Sequence, residues 1–153
     1  MVFNGGDQEM EGAETYILEA SVAVKWFILE EYSREAALLR ETYVEGVIDL
    51  VAPSLLPYEV LNALKHSAAF GEEELKEIAK TLEDLQITYY HLEGELALKA
   101  VETAMRKGIT IYDAAYVALA QHLGAKLYTA DERLLRKMGE SPIIEHIMKF
   151  KPP

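Results

Sequence analysis

The stretch TYILEASVAVKWF, Thr15–Phe27, decides how the chain is to be read. Tyr16–Ala20 is a short apolar run broken by a single acid, Glu19, and a second apolar run, Val22–Ile28, follows almost at once. The first has the length and content of a strand, and the second reads as a short helix. A carboxylate buried at that junction is costly without a partner. Glu19 therefore either caps the following helix or belongs to a set of charges that something else compensates.

Working outward, the same alternation continues. Ser33–Val47 reads as a helix capped by Ser33, and Asp49–Ala52 as a strand ended by Pro53. Ser54 is expected to cap a helix reaching about Ala69, and Gly71 to open another with Glu72, Glu73 and Glu74 in its first turn. Gln86–Tyr90 reads as a strand, and Leu92–Lys107 as a helix stopped by Gly108. A helix from Thr110 to His122 stops at Gly124, Ala125–Thr129 is a strand, Glu132–Met138 a short helix and Ile143–His146 a further strand. Strands separated by helices predict an α/β fold: right-handed crossovers and a mostly parallel sheet of four or five strands with helices on both faces. One domain is expected over residues 15–153, after a flexible, acidic, glycine-containing extension at 1–14. Such sheets bind ligands outside the carboxyl ends of their strands. Glu19 and Asp131 both fall at such ends.

A chain of 153 residues can bury one core, and 50% hydrophobic with 27% charged residues is a globular balance. No apolar run approaches the ~18 residues of a membrane span, and the N-terminus lacks the basic start and apolar centre of a secretion signal. The absence of cysteine excludes disulfides and thiolate metal sites and fits a cytoplasmic protein. A net charge of −11 argues against a broad basic nucleic-acid surface, while a local basic rim stays compatible with it. There is no glycine-rich phosphate loop and no serine nucleophile elbow. His66, His91, His122 and His146 lack metal-ligand spacing. A receiver-type signalling domain would need an Asp after a central strand, and the strands ending near Ala52 and Tyr90 supply none.

Most of the 26 acidic residues share helix faces with Lys or Arg and read as solvated. Four stand apart. Glu19 is the first. Glu59, in SLLPYEVLNALKHS, borders an apolar stripe of Leu56, Val60, Ala63 and Leu64, where a carboxylate reaching for solvent is the plainer reading. Asp113 is the one charge in IYDAAYVALA, whose alanines suit a closely packed helix, and a capping box with Thr110 is the plainer reading there. Asp131, in LYTADERLL, has the place of an ordinary N-cap, or Thr129 and Glu132 form a capping box. Together the four come from separate segments and fall at one end of the expected sheet. Clustered carboxylates repel, and a hard divalent cation with oxygen ligands removes that repulsion. Such a site activates water and neutralises charge developing on a phosphodiester. The chemistry suggested is metal-dependent phosphodiester hydrolysis.

With these residues in place, the chain resembles the PIN-domain family, and in particular the VapC-type ribonuclease toxins of toxin–antitoxin pairs. The resemblance runs from Tyr16 to His146 and rests on LEASVAVKWF (18–27), PYEVLNAL (57–64), DAAYVALA (113–120) and LYTADERL (127–134), in that order. It implies a three-layer α/β/α PIN-like domain, an endoribonuclease dependent on Mg²⁺ or Mn²⁺, single-stranded or structured RNA as substrate, a homodimer, and a VapB-type antitoxin. It implies further that Glu19, Asp113 and Asp131 hold the metal directly or through water, and that Glu59 completes the pocket or positions the attacking water. Ser21 and Thr129 would support the site by hydrogen bonding. One position departs: the family's first strand ends in Asp, any residue, then Ser or Thr, and this chain has Glu19 and Ser21. The added methylene moves the carboxylate by about a bond length, and misplacement of ~1 Å costs on the order of a hundredfold in rate. The alternative is therefore a PIN-fold binding module with weakened catalysis, acting through dimerisation or a protein partner. Two smaller features stay open. Trp26 packs beside an exposed Lys25, or the pair contacts nucleic acid; Arg133, Arg136 and Lys137 form a solvated helix face or hold an RNA backbone.

Overall fold

The structure, a computed structural model, describes residues 13–153. Most of the expected N-terminal extension lies outside the described residues, and Glu14, its last residue, already belongs to the first strand. That strand, β1 (Glu14–Leu18), runs into α1 (Ala20–Ala23) and a 3₁₀ turn at Val24–Trp26. Then come α2 (Ser33–Val44), β2 (Ile48–Pro53), α3 (Leu56–His66), α4 (Glu72–Asp84) and β3 (Thr88–Tyr90). The chain continues through α5 (Gly94–Lys107), α6 (Ile111–Leu123), β4 (Lys126–Thr129), α7 (Glu132–Met138) and β5 (Ile144–His146).

All five strands are parallel, in the order β3-β2-β1-β4-β5. β1 is central because Tyr16, Ile17 and Leu18 are all buried, as a strand covered on both faces requires. It pairs with β2 at Ile17↔Val51 and with β4 at Ile17↔Leu127 and Leu18↔Tyr128. The chain winds one way from β1 through β3 and the other way through β4 and β5. The topological switch point therefore lies between β1 and β4, the two strands that deliver Glu19 and Asp131. α6 is buried from Ala114 to Ala120, and its alanines let it lie close against α5 and over β1, β2 and β4. Its C-terminal Gly124 takes the left-handed φ of 62° that ends the helix.

Two expected caps are placed differently. Ser33 lies inside α2, after an N-cap at Tyr32, because its hydroxyl braces the preceding turn, donating to Ile28 O at 3.1 Å and accepting from Glu30 N at 2.9 Å. Ser54 does not cap α3, whose N-cap is Leu55; its N–H instead donates to Tyr90 O at 2.9 Å and extends the β2–β3 ladder by one rung. Two helices also end earlier than their apolar patterns suggest, α2 at Val44 and α3 at His66. Lys25 is not exposed. Its side chain is 8% accessible, 3.6 Å from the Glu30 carboxylate and over the Tyr32 ring, which removes it as a nucleic-acid contact. Trp26 packs as expected, donating its indole N–H to Ala36 O at 2.8 Å.

Candidate active site at the carboxyl ends of the central strands

The register of β1 on β4 sets the first half of the site. One step beyond Leu18↔Tyr128, Glu19 faces Thr129, whose hydroxyl donates to Glu19 Oε1 at 2.5 Å. Glu19 is also the N-cap of α1: Ser21 N donates to its Oε2 at 3.0 Å, and the Ser21 hydroxyl donates to Oε1. Ala130 N then donates to Ser21 Oγ at 2.9 Å and Asp131 N to Thr129 Oγ1 at 3.0 Å, which ties the two strand ends together. Glu19 therefore caps a helix, and the Asp131 charge is near enough to act on it. Only 7% of it is accessible, and that burial raises its pKa against the opposing effect of the Ser21 and Thr129 hydrogen bonds. The Asp131 charge raises it further.

Asp131 is the N-cap of α7, its Oδ1 accepting from Arg133 N at 3.0 Å and Leu134 N at 3.2 Å. The Thr129–Glu132 capping box is not formed, because Thr129 Oγ1 is engaged with Glu19 and Asp131 N. Asp113 lies in the first turn of α6 above the same crevice, its N–H donating to Thr110 Oγ1 at 3.0 Å. Burial raises its pKa, Asp131 adds to the rise, and the Thr110 hydroxyl and then Arg133 partly offset it. Glu59, in the first turn of α3, has its pKa raised by burial and by Asp113. The negative charges thus interact in a row, Glu19 with Asp131, Asp131 with Asp113, and Asp113 with Glu59. Among the described residues, none of these carboxylates is in an ion pair with Lys or Arg.

The donor chemistry suits a hard cation, because all the groups are oxygen donors and none is in an ion pair among the described residues. The placement is looser than a closed cage: among the described residues, no three carboxylate or imidazole side chains converge on one point as they stand. The reason is visible at Glu19, whose two oxygens are both occupied by hydrogen bonds. Asp113 and Asp131 are both partly accessible to solvent, and both bonds to Asp131 fall on Oδ1.

Three residues outside the sequence-derived set are brought to this site. Tyr116, fully buried on α6, donates its hydroxyl to Glu59 Oε1 at 2.7 Å. Burial and the adjoining Glu59 and Glu19 charges push its phenol far up, so it stays a donor. A single polar tip in the apolar run from Ala114 to Ala120 was its signal. Tyr58 and Tyr112 are the others, each directly preceding a site acid and each exposed. Of the basic cluster, Arg133 and Lys137 line a cleft of about 270 Å³ with Thr110 and Asp113, and Arg136 does not.

The shared charge has a measurable consequence. Glu19, Glu59 and Asp113 each bind a proton more tightly in the folded chain than in the unfolded one, so their contribution to stability falls as pH rises past their ordinary range. The melting temperature of the metal-free protein is expected to rise as pH is lowered from about 8 to about 5. Mg²⁺ or Mn²⁺ is expected to raise it more at the higher pH, where protons no longer compete for the same oxygens. A metal effect that is equal at both ends of the range would contradict a shared carboxylate site.

Residues 16–140 match the family model described as the PIN domain. The chain is 34% identical over 125 residues to the ribonuclease VapC3 of Pyrobaculum aerophilum, an alignment covering 79% of this chain and 92% of that protein. Its fold is similar to the crystal structure of PAE2754 from Pyrobaculum aerophilum, with a TM-score of 0.61 at 24% identity over 91% of this chain and 93% of that one. It is similar also to a toxin–antitoxin complex from Klebsiella pneumoniae, with a TM-score of 0.63 at 14% identity over 86% and 97% of the two chains. With the parallel sheet, the switch point between β1 and β4 and the sequence match in agreement, the chain belongs to the PIN domain family, and its resemblance within that family is to the VapC proteins.

Proposed function

We propose that this protein is a VapC-type endoribonuclease that hydrolyses RNA phosphodiesters with the help of Mg²⁺ or Mn²⁺ at the pocket of Glu19, Glu59, Asp113 and Asp131. The observation that carries the reading is the row of mutually repelling carboxylates, none of them in an ion pair among the described residues, at the switch point of a parallel sheet. Asp113, Asp131 and Glu19 would hold the metal, directly or through water. A bound divalent ion supplies charge neutralisation on the phosphodiester and a more acidic water. Glu59, held by Tyr116, accepts a proton from the attacking water or orients it. Ser21 and Thr129 fix the position of Glu19.

The ribonuclease reading is supported by the VapC3 relative, and the toxin–antitoxin neighbour supports an antitoxin as partner; a VapB-type antitoxin and a cytoplasmic location belong to the proposal. Among the described residues no helix is long and apolar enough to cross a membrane. A homodimer is also proposed. Leu98, Val101 and Met105 make an exposed apolar stripe along α5 that a second copy would cover. Light scattering is expected to give twice the mass of the chain, and a monomer mass would remove the dimer from the proposal. The direct test of the enzyme is cleavage of RNA with added Mg²⁺ or Mn²⁺, abolished by a chelator; wild type without metal-dependent cleavage sinks the catalytic assignment.

The state of Glu19 favours keeping the second reading. Its carboxylate accepts three hydrogen bonds from Ser21 and Thr129, which suits a weakened site in a binding module acting through dimerisation or a protein partner. Calorimetric titration with Mn²⁺ separates the two, since tight binding without turnover supports the module.

A further inference from the structure

Beside the acids lies a pocket of about 520 Å³ walled by Tyr58 and Tyr112, with Leu55, Glu59 and Asn62. The two rings are 78% and 64% accessible, although large apolar groups are mostly withdrawn from water elsewhere in the chain. They come from different helices, Tyr58 from α3 and Tyr112 from α6. Tyr58 immediately precedes Glu59 and Tyr112 immediately precedes Asp113, and both rings share this pocket with Glu59. A second cleft begins at Asp113 and carries Arg133 and Lys137. Neither cation is paired with a carboxylate among the described residues, and Lys137 Nζ rests on Gly108 O at 2.9 Å.

These surfaces have complementary chemistry. Every nucleobase presents a π face to an aromatic ring, and stacking needs no positive charge, which suits a chain of net charge −11. A backbone phosphate, in contrast, needs cations, and Arg133 and Lys137 line the cleft that contains Asp113, next in sequence to Tyr112. In a duplex the base faces are already stacked on one another and are not open to either ring. We propose that Tyr58 and Tyr112 hold one unpaired nucleobase of the substrate beside the phosphodiester at the acids, with a neighbouring backbone phosphate in the Arg133–Lys137 cleft. The inference rests on the ribonuclease reading of this site and narrows its substrate to an unpaired strand. Asn62 presents an amide in the same pocket, where it reads the edge of the stacked base.

Binding of a short labelled single-stranded RNA of mixed sequence, followed by fluorescence anisotropy without divalent cations, tests this apart from turnover. Tyr58→Leu and Tyr112→Leu are each expected to weaken binding roughly fivefold to a hundredfold. Tyr→Phe at either position recovers most of the loss, because the ring is what stacks. The same strand annealed to its complement is expected to bind more weakly and to respond little to either Leu variant. Arg133→Gln with Lys137→Gln is expected to flatten the salt dependence of single-strand binding. Both tyrosines are exposed, so the variants fold, and circular dichroism verifies it. Leu variants that bind single strands like wild type, or that weaken single strand and duplex alike, overturn the proposal. So does an altered mass by light scattering with RNA affinity unchanged, which would make the tyrosines a protein contact. Tyrosine-dependent single-strand binding by a protein that cleaves nothing supports the clamp while removing the nuclease reading.

Discussion

Asn in place of Asp113 is expected to lower kcat for RNA cleavage by roughly a hundredfold or more, without lowering the melting temperature of the metal-free protein. Residues that merely support a metal ligand cost about ten- to a hundredfold when removed, so a direct ligand is expected at or beyond the upper end. The stability half of the expectation follows from the same charges. Burial and Asp131 both raise the pKa of Asp113, so the ionised carboxylate is a cost to the folded chain that an isosteric amide relieves. The Thr110 bond to the residue 113 N–H is a backbone contact and survives the change. Cleavage rates with Mg²⁺ and Mn²⁺, set beside thermal melts with and without metal, test both halves together. Full activity in Asp113→Asn would remove Asp113 from the site. A sharp loss of stability would make it a structural residue of α6.

Shortening Glu19 to Asp is expected to raise kcat by about ten- to a hundredfold, with little change in KM. The wild-type side chain reaches far enough to be held by the Ser21 and Thr129 hydroxyls and the Ser21 amide together. Those bonds turn both of its oxygens away from metal duty. Asp has one methylene fewer, and its carboxylate can keep the Ser21 N–H as a cap while freeing an oxygen towards Asp131. Steady-state kinetics on one RNA substrate, with metal titrated for each protein, decide the sign. A slower Glu19→Asp enzyme would mean that the pocket is built for the longer acid.

Much of this molecule was legible along the chain. The sequence TYILEASVAVKWF reads as a strand, an acid and a helix, and β1, Glu19 and α1 follow in that order. α7 has the bounds that LYTADERLL and its flanks indicate, and Gly108 and Gly124 stop α5 and α6 at φ 65° and 62°. Local rules suffice for these because the information is local: a period, a cap, a residue that tolerates positive φ. Glu19 and Asp113 could be singled out for a related reason, since each is the lone charge in an apolar run.

What failed was decided by partners distant in the chain or by competing local bonds. Ser33 and Ser54 look like caps, yet one braces the preceding turn and the other adds a rung to the β2–β3 ladder. Lys25 looks solvent-exposed until the Glu30–Tyr32 turn folds over it. The Tyr116–Glu59 bond joins positions 57 apart in sequence, and the Thr129–Glu19 bond joins positions 110 apart. The sequence by itself determined which residues would be strands, helices and misplaced acids, because periodicity and polarity are carried within a few residues. Only the tertiary structure decided that β4 lies beside β1 in the register that sets Thr129 against Glu19. Strand order and register are fixed by packing of the whole sheet and its helices, and no short segment carries that information.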